Sequence, residues 1–277
     1  MSLDELRRRK QQVVVAHGEW TAHNIHLAGD FYTITDRLTA DDVKLRRIVQ
    51  VVADLAAKPL RELRVLDLAC LEGLYAVEFA RHGAAVVGIE GRRRNIEKAR
   101  FAKSALSLDN LELVLDDVRN LRQETYGAFD VVLCLGILYH LDAPDVFAFV
   151  EQLADVCRGL AVLDTHVAPR SETTRVYRGR WYCGALFREH AADATLEEKE
   201  AVSWASLDNP ESFWPTRPSL YNLLSHAGFT SAYECHVPEE AEKPSDRVTF
   251  VAVKGERPTL LSCPRMNAEP LRDLPEG

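Results

Sequence analysis

No stretch of this chain is long, apolar and uncharged enough to cross a bilayer. It also lacks a C-x-x-C pair, and none of its six cysteines (Cys70, Cys134, Cys157, Cys183, Cys235, Cys263) stands at zinc spacing from a histidine. Scattered thiols of this kind read as buried small hydrophobes or incidental residues, which points to a reducing cytoplasm. Basic excess is missing too. With 34 Lys and Arg against 42 Asp and Glu the formal charge is −8, which argues against a protein that coats nucleic acid. The start, Met1-Ser2-Leu3-Asp4-Glu5-Leu6-Arg7, is a charged helical pattern and not a leader peptide. No internal repeat or low-complexity tract appears, and a hydrophobic share of 47% over 277 residues excludes a disordered chain.

What is present is an alternation. Short β-branched runs at Arg64–Leu68, Ala85–Ile89, Leu111–Leu115, Phe129–Leu135 and Gly159–Thr165 read as strands. Helical patterns over Gly73–His82, Arg92–Ser107 and Pro144–Val156 fill three of the four gaps between them. Such an order predicts a doubly wound α/β fold, with ligands at the carboxyl ends of the strands. A helix over Ser219–Ala227 and two closing antiparallel strands, Ser231–Val237 and Arg247–Val253, bring the sheet to seven, mostly parallel. The expected organisation is a helical cap over residues 1–60, a main domain over 61–255 and a tail over 256–277. Residues 167–217 break the rhythm and are expected to form a loop-rich, aromatic insertion overhanging the ligand edge.

Three acids fall at successive strand ends: Asp67 in Val65-Leu-Asp-Leu-Ala-Cys-Leu-Glu-Gly73, Glu90, and Asp117 in Leu115-Asp-Asp-Val118. Any one alone is a helix cap or a solvated strand end. Together they suit a ligand with several donors and a positive charge, and not a pyrophosphate, which wants glycine-rich amides. With Phe129-Asp-Val-Val-Leu-Cys-Leu-Gly-Ile-Leu-Tyr-His140, this order of motifs resembles the class I S-adenosylmethionine-dependent methyltransferases. The resemblance implies that Asp67, Ala69 and Gly73 shape the methionine pocket and that Glu90 holds the ribose hydroxyls. It implies that Asp117 and Val118 meet the adenine, with Leu135 and Gly136 near the sulfonium. The family's turn has three glycines, whereas this chain has Ala69, Leu71 and only Gly73. A branched Leu71 resists positive φ, so a different backbone path is expected here.

For catalysis, His140 just beyond the fourth strand is a candidate base that takes a hydroxyl proton, or else it packs the following turn. Asp164 and His166, ending the fifth strand, orient His140, bind acceptor hydroxyls or hold Mg2+. Trp20, His23, Asn24 and His26 either close over the ligand or anchor the N-terminal segment. Tyr139, Trp181 and Tyr182, with Tyr75 and Trp214, supply aromatic surface for an acceptor. The basic runs Arg7–Lys10 and Arg92–Arg94 read as solvated helix faces.

These features favour O-methylation of a small acceptor, a sugar or natural product, by a protein that allows a homodimer and needs no membrane. Two alternatives stay open. Glu211-Ser-Phe-Trp-Pro-Thr216 is similar to part of the transfer-RNA wobble-uridine carboxymethyl transferases, and Ala69 with Leu71 leave room for a cofactor-binding module without catalysis.

Overall fold

In the computed structural model, which describes residues 1–240 and 243–276, a seven-stranded sheet carries the chain. Residues 241, 242 and 277, inside the expected main domain and tail, lie outside the described residues. The N-terminal part holds α1 (Leu3–His17), a short hairpin β1 (His26–Ala28) and β2 (Phe31–Tyr32), and α2 (Ala40–Leu55). Then follow β3 (Arg64–Leu68), α3 (Leu74–Arg81), β4 (Ala85–Glu90), α4 (Arg93–Ala105) and β5 (Leu111–Leu115). A one-turn α5 (Gln123–Tyr126) leads to β6 (Phe129–Leu135), α6 (Asp145–Val156) and β7 (Cys157–His166). The chain closes with β8 (Thr173–Tyr177), β9 (Arg180–Arg188), α7 (Leu196–Ala201), β10 (Glu211–Pro215), α8 (Arg217–His226), β11 (Ser231–Glu234) and β12 (Arg247–Val253).

The sheet order is β11-β12-β7-β6-β3-β4-β5, with β12 antiparallel to both neighbours and the other pairs parallel. Its central strands read as unbroken apolar runs because both faces are covered. One face packs on α6 and α8 through Phe147, Phe149, Leu153 and Leu220; the other packs on α2, α3 and α4 through Ile48, Phe79 and Ile96. Strand order reverses between β3 and β6, and right-handed crossovers on either side splay their following loops apart. That reversal opens a crevice at the carboxyl ends.

The expected loop-rich insertion is corrected. Residues 173–215 contain a three-stranded antiparallel sheet, β10-β9-β8, whose Tyr182 and Phe213 enter the main core beside Phe147. Its strands pack one face on α6 and α8 and leave the other exposed, and Gly184 sits where any Cβ would lie 2.2 Å from the Trp214 carbonyl. Glu211–Pro215, the segment with the transfer-RNA enzyme likeness, is one of these strands.

The turn after β3 depends on Gly73, whose φ is +90° and whose Cβ would stand 2.9 Å from that of Ala99 on α4. Gly73→Ala is expected to destabilise the fold by roughly 2 kcal/mol, from left-handed strain plus overpacking. A thermal melt that leaves the transition unmoved would show that α4 yields at this contact.

Candidate active site

In the turn from Asp67 to Gly73, Ala69 (φ +53°), Leu71 (φ +50°) and Gly73 are all left-handed, so Leu71 takes up the positive φ that its branched side chain resists. Hydrogen bonds hold the strained residues there. Cys70 N–H donates to the Ile89 carbonyl at 2.9 Å, Leu71 N–H to Glu90 Oε2 at 2.9 Å, and Gly73 N–H to the Cys70 carbonyl at 2.8 Å. Glu72 turns inward, fully buried, and accepts from the amides of Thr21, Ala22 and His23 at 2.8, 3.2 and 3.1 Å. Lys98 of α4 neutralises it at 3.0 Å. The N-terminal segment is thereby tied across the mouth of the crevice.

In that crevice lies a cavity of about 1150 Å³, open mouth included. Asp67, Ala69, Glu90, Asp117, Val118, Leu135, Gly136, Tyr139 and His140 all line it. Gly73 does not; it lies under the turn against Ala99. Asp67 Oδ2 accepts from Ala76 N–H at 3.0 Å, and burial pushes its carboxyl up to about 7. Glu90 is raised as well, by burial, although the Arg92 amide and Asn95 side chain donate to its Oε1 at 2.8 and 3.2 Å. Burial thus opposes the charged form of both acids, and a bound cation would favour it. Two more groups on the cavity wall, Tyr75 Oη and Asn95 Oδ1, are buried with no hydrogen-bond partner among the described residues. A cationic ligand rich in hydroxyls and amines fits this set of acceptors. Asp117, on the same wall, also pairs with Arg119, whose Nη2 lies at 2.6 Å.

The remaining expected residues are placed elsewhere. Asp164 is corrected: it is fully buried and does not face the cavity as a base or a metal ligand. Lys44, Arg247 and Lys243 surround it at 3.0, 2.7 and 3.1 Å, and Thr249 Oγ1 donates at 2.8 Å. Burial would raise its carboxyl, but Lys44, then Arg247 and Lys243, hold it far below the carboxylate range. His166 stands 3.2 Å from Asp246 and stacks on Trp214, one layer behind Tyr139. A carboxylate already shared by three cations has no free lone pair for Mg2+, and among the described residues no group of three His, Cys, Asp or Glu stands close enough to hold a metal.

The proposed acceptor contacts are also revised. Trp20 packs edge-on against Phe101, and Asn24 Oδ1 accepts from the Ile34 and Thr35 amides, so both anchor the N-terminal segment. Tyr182 is a core residue bonded to His226, and Trp181 is 72% exposed on the outer face of β9. None of the four lines the cavity.

Several wall residues were not foreseen. Asp41 and Lys44 come from α2, and Arg247 from β12. Loop 203–209 of the insertion covers the opposite end. The run Arg92–Arg94 is no solvated face: Arg92 Nη2 donates to the Ala205 and Ser206 carbonyls, both at 2.9 Å, and Arg94 Nη2 to the Ala201 carbonyl at 2.9 Å. Arg119 adds an ion pair with Asp208 at 2.8 Å. Leu207 fits over Gly91, where a Cβ would meet its Cδ1 at 2.6 Å. Behind the loop, Glu189 of the insertion lies with both carboxylate oxygens 3.0 Å from His140 Nδ1. The insertion is expected over the ligand edge, but the Arg92–Arg94 run, read as a solvated face, does not point to its anchors, and nothing near His140 in sequence points to Glu189, 49 residues away.

Comparison with known proteins gives the same picture. A methyltransferase-domain family matches residues 65–159, from β3 into the start of β7. A ubiquinone biosynthesis O-methyltransferase of Pelagibacter ubique is 34% identical over 122 residues, 43% of this chain and 47% of that protein. A magnesium-protoporphyrin O-methyltransferase of Rhodobacter capsulatus is 29% identical over 54% of this chain and 69% of that protein. The chain therefore spans about half to two thirds of these two relatives. Among solved structures, the N-terminal domain of EvdMO1, crystallised in the presence of S-adenosylhomocysteine and D-fucose, is 25% identical with a TM-score of 0.67. That match takes in 93% of this chain and 98% of that domain. With the acid-lined crevice at the β3/β6 reversal and the left-handed turn after β3, the chain has the class I methyltransferase fold, and its residues 65–159 match a methyltransferase domain.

Proposed function

We propose that this protein transfers a methyl group from S-adenosylmethionine to a hydroxyl of a small acceptor, a sugar or natural product. The observation that carries the reading is that His140 shares one cavity with the acid-lined wall, with Gly136 and Tyr139 between them in sequence and on the same surface. Bound in this cavity, the cofactor would supply an electrophilic methyl on a sulfonium, leaving the protein to position the acceptor and remove its proton. Glu90 would hold the ribose hydroxyls, Val118 would cover the adenine, and the turn after Asp67 would receive the methionine end. His140 takes the hydroxyl proton.

Beside His140 the wall offers Asp41, Lys44, Tyr75, Tyr139 and Arg247, a mixture of acceptors, donors and ring faces that suits a hydroxyl-bearing ring. The D-fucose present with EvdMO1 supports the sugar class. Transfer-RNA as acceptor finds less support, because Arg92, Arg94 and Arg119 are engaged by the insertion and the groove they line also carries Asp116, Asp117, Glu200 and Asp208. The module without catalysis loses its motive, since Leu71 keeps the left-handed path.

The test is twofold. Titration calorimetry should show S-adenosylhomocysteine binding to the wild-type chain, and its absence would remove the reading. Turnover on a panel of glycosides and phenols should then fall by roughly a hundredfold or more in His140→Ala with cofactor binding intact. Near-normal turnover would dismiss His140 as the base.

A further inference from the structure

Loop 203–209 touches the cofactor end and the His140 end of the cavity through one residue. The Ser206 carbonyl accepts from Arg92 Nη2 and from His190 Nε2, each at 2.9 Å, while its N–H donates to Glu189 Oε2 at 2.9 Å. Arg92 in turn gives its own N–H to Glu90, and Asn209 Nδ2 donates to the His140 carbonyl at 3.0 Å. An unbroken series of contacts thus runs from Glu90 through Arg92, Ser206 and Glu189 to His140.

A carboxylate with no proton only accepts hydrogen bonds, so Glu189 requires the proton of a neutral His140 on Nδ1. Nε2 is then the ring's accepting nitrogen, on a residue that lines the cavity. The other tautomer would set the Nδ1 lone pair against two carboxylate oxygens and put an N–H where a base needs a lone pair. Glu189 has a side chain only 1% exposed, so water does not compete for these contacts.

We infer that Glu189 is a positioning residue, which fixes His140 in the Nδ1–H form, and that the Ser206 main chain joins this pairing to the loop over the cofactor end. The inference rests on His140 acting as the base for methyl transfer. It assigns the insertion a task beyond covering the crevice: the same loop that contacts the cofactor end also holds the partner of the base.

The experiment uses the full chain with 15N-labelled histidine. In the wild type the His140 signals should show the Nδ1–H tautomer, and adding S-adenosylhomocysteine should shift them. In Glu189→Gln the tautomer preference should be lost and the shift diminished. Turnover should drop roughly a hundredfold while the affinity for S-adenosylhomocysteine stays within about twofold. Glu189→Asp, which keeps the charge, should recover part of that loss. An Nε2–H tautomer in the wild type overturns the inference without any variant, which matters if Glu189→Gln folds poorly. An equal response to S-adenosylhomocysteine in both proteins overturns the coupling through Ser206. If the wild type methylates no hydroxyl acceptor, the proposed activity fails, and the tautomer measurement still decides the pairing.

Discussion

Asp164→Asn should lower the melting temperature by about 10 °C, the largest stability effect expected of a single substitution in this chain. The carboxylate sits at the meeting point of α2 and β12, where Lys44, Arg247 and Lys243 converge on it. Asparagine keeps the volume and one acceptor but leaves three cations at a buried site with less counter-charge. Breaking a buried ionic pair from one side costs about 3–5 kcal/mol, and a chain of this size loses roughly 2–4 °C per kcal/mol. A shift below about 3 °C would mean that Asp41 and Glu240 neutralise the cluster by themselves.

The same carboxylate gives the protein an acid limit. Its pKa in the fold lies below the unfolded value near 4, so the unfolded chain binds the proton first as pH falls. The stabilisation is complete above that unfolded value and is lost progressively as the pH drops from about 4 toward the folded pKa. Wild type should therefore lose stability more steeply than Asp164→Asn below about pH 4, and parallel acid profiles would remove Asp164 as the cause.

Glu90→Ala should weaken S-adenosylhomocysteine binding by roughly a hundredfold, since hydrogen bonds to a charged acceptor contribute about 1.5–3 kcal/mol each. The loss has a second source. Glu90 also receives the Leu71 and Arg92 amides, so its removal frees the left-handed turn on one side and the anchor of loop 203–209 on the other. Glu90→Gln keeps an acceptor for one of them and should lie between alanine and wild type. Calorimetry showing unchanged affinity in Glu90→Ala would place the ribose elsewhere.

The sheet was readable because its strands are buried on both faces and so appear as apolar runs, as at Val131–Cys134 and Ala161–Leu163. The acids of the cavity wall were readable because strand ends lie at predictable distances along the chain. Leu71 misled for a sound reason: its intrinsic preference is against positive φ, and the compensating bonds from Glu90 and Ile89 come from a neighbouring strand. The insertion misled because a half-exposed sheet interrupted by Gly179, Gly184 and charged residues has no clean alternation. Asp164 shows the remaining limit. Its position at a strand end was correct, but its cations come from residues 44, 243 and 247, which only the fold assembles. Aromatic type likewise said nothing of direction, and Trp181 faces solvent while Tyr182, its neighbour, fills the core.

Glu72 makes the turn after β3 and the segment around residues 21–23 one inseparable part. Replacing the turn with a relative's glycine-rich version would strip three amides and Lys98 of their common acceptor, and replacing the N-terminal segment would leave a carboxylate buried without them. Chimeras with other methyltransferases must therefore exchange both segments together, and a recombination boundary placed anywhere between residues 24 and 72 cuts through the cofactor site.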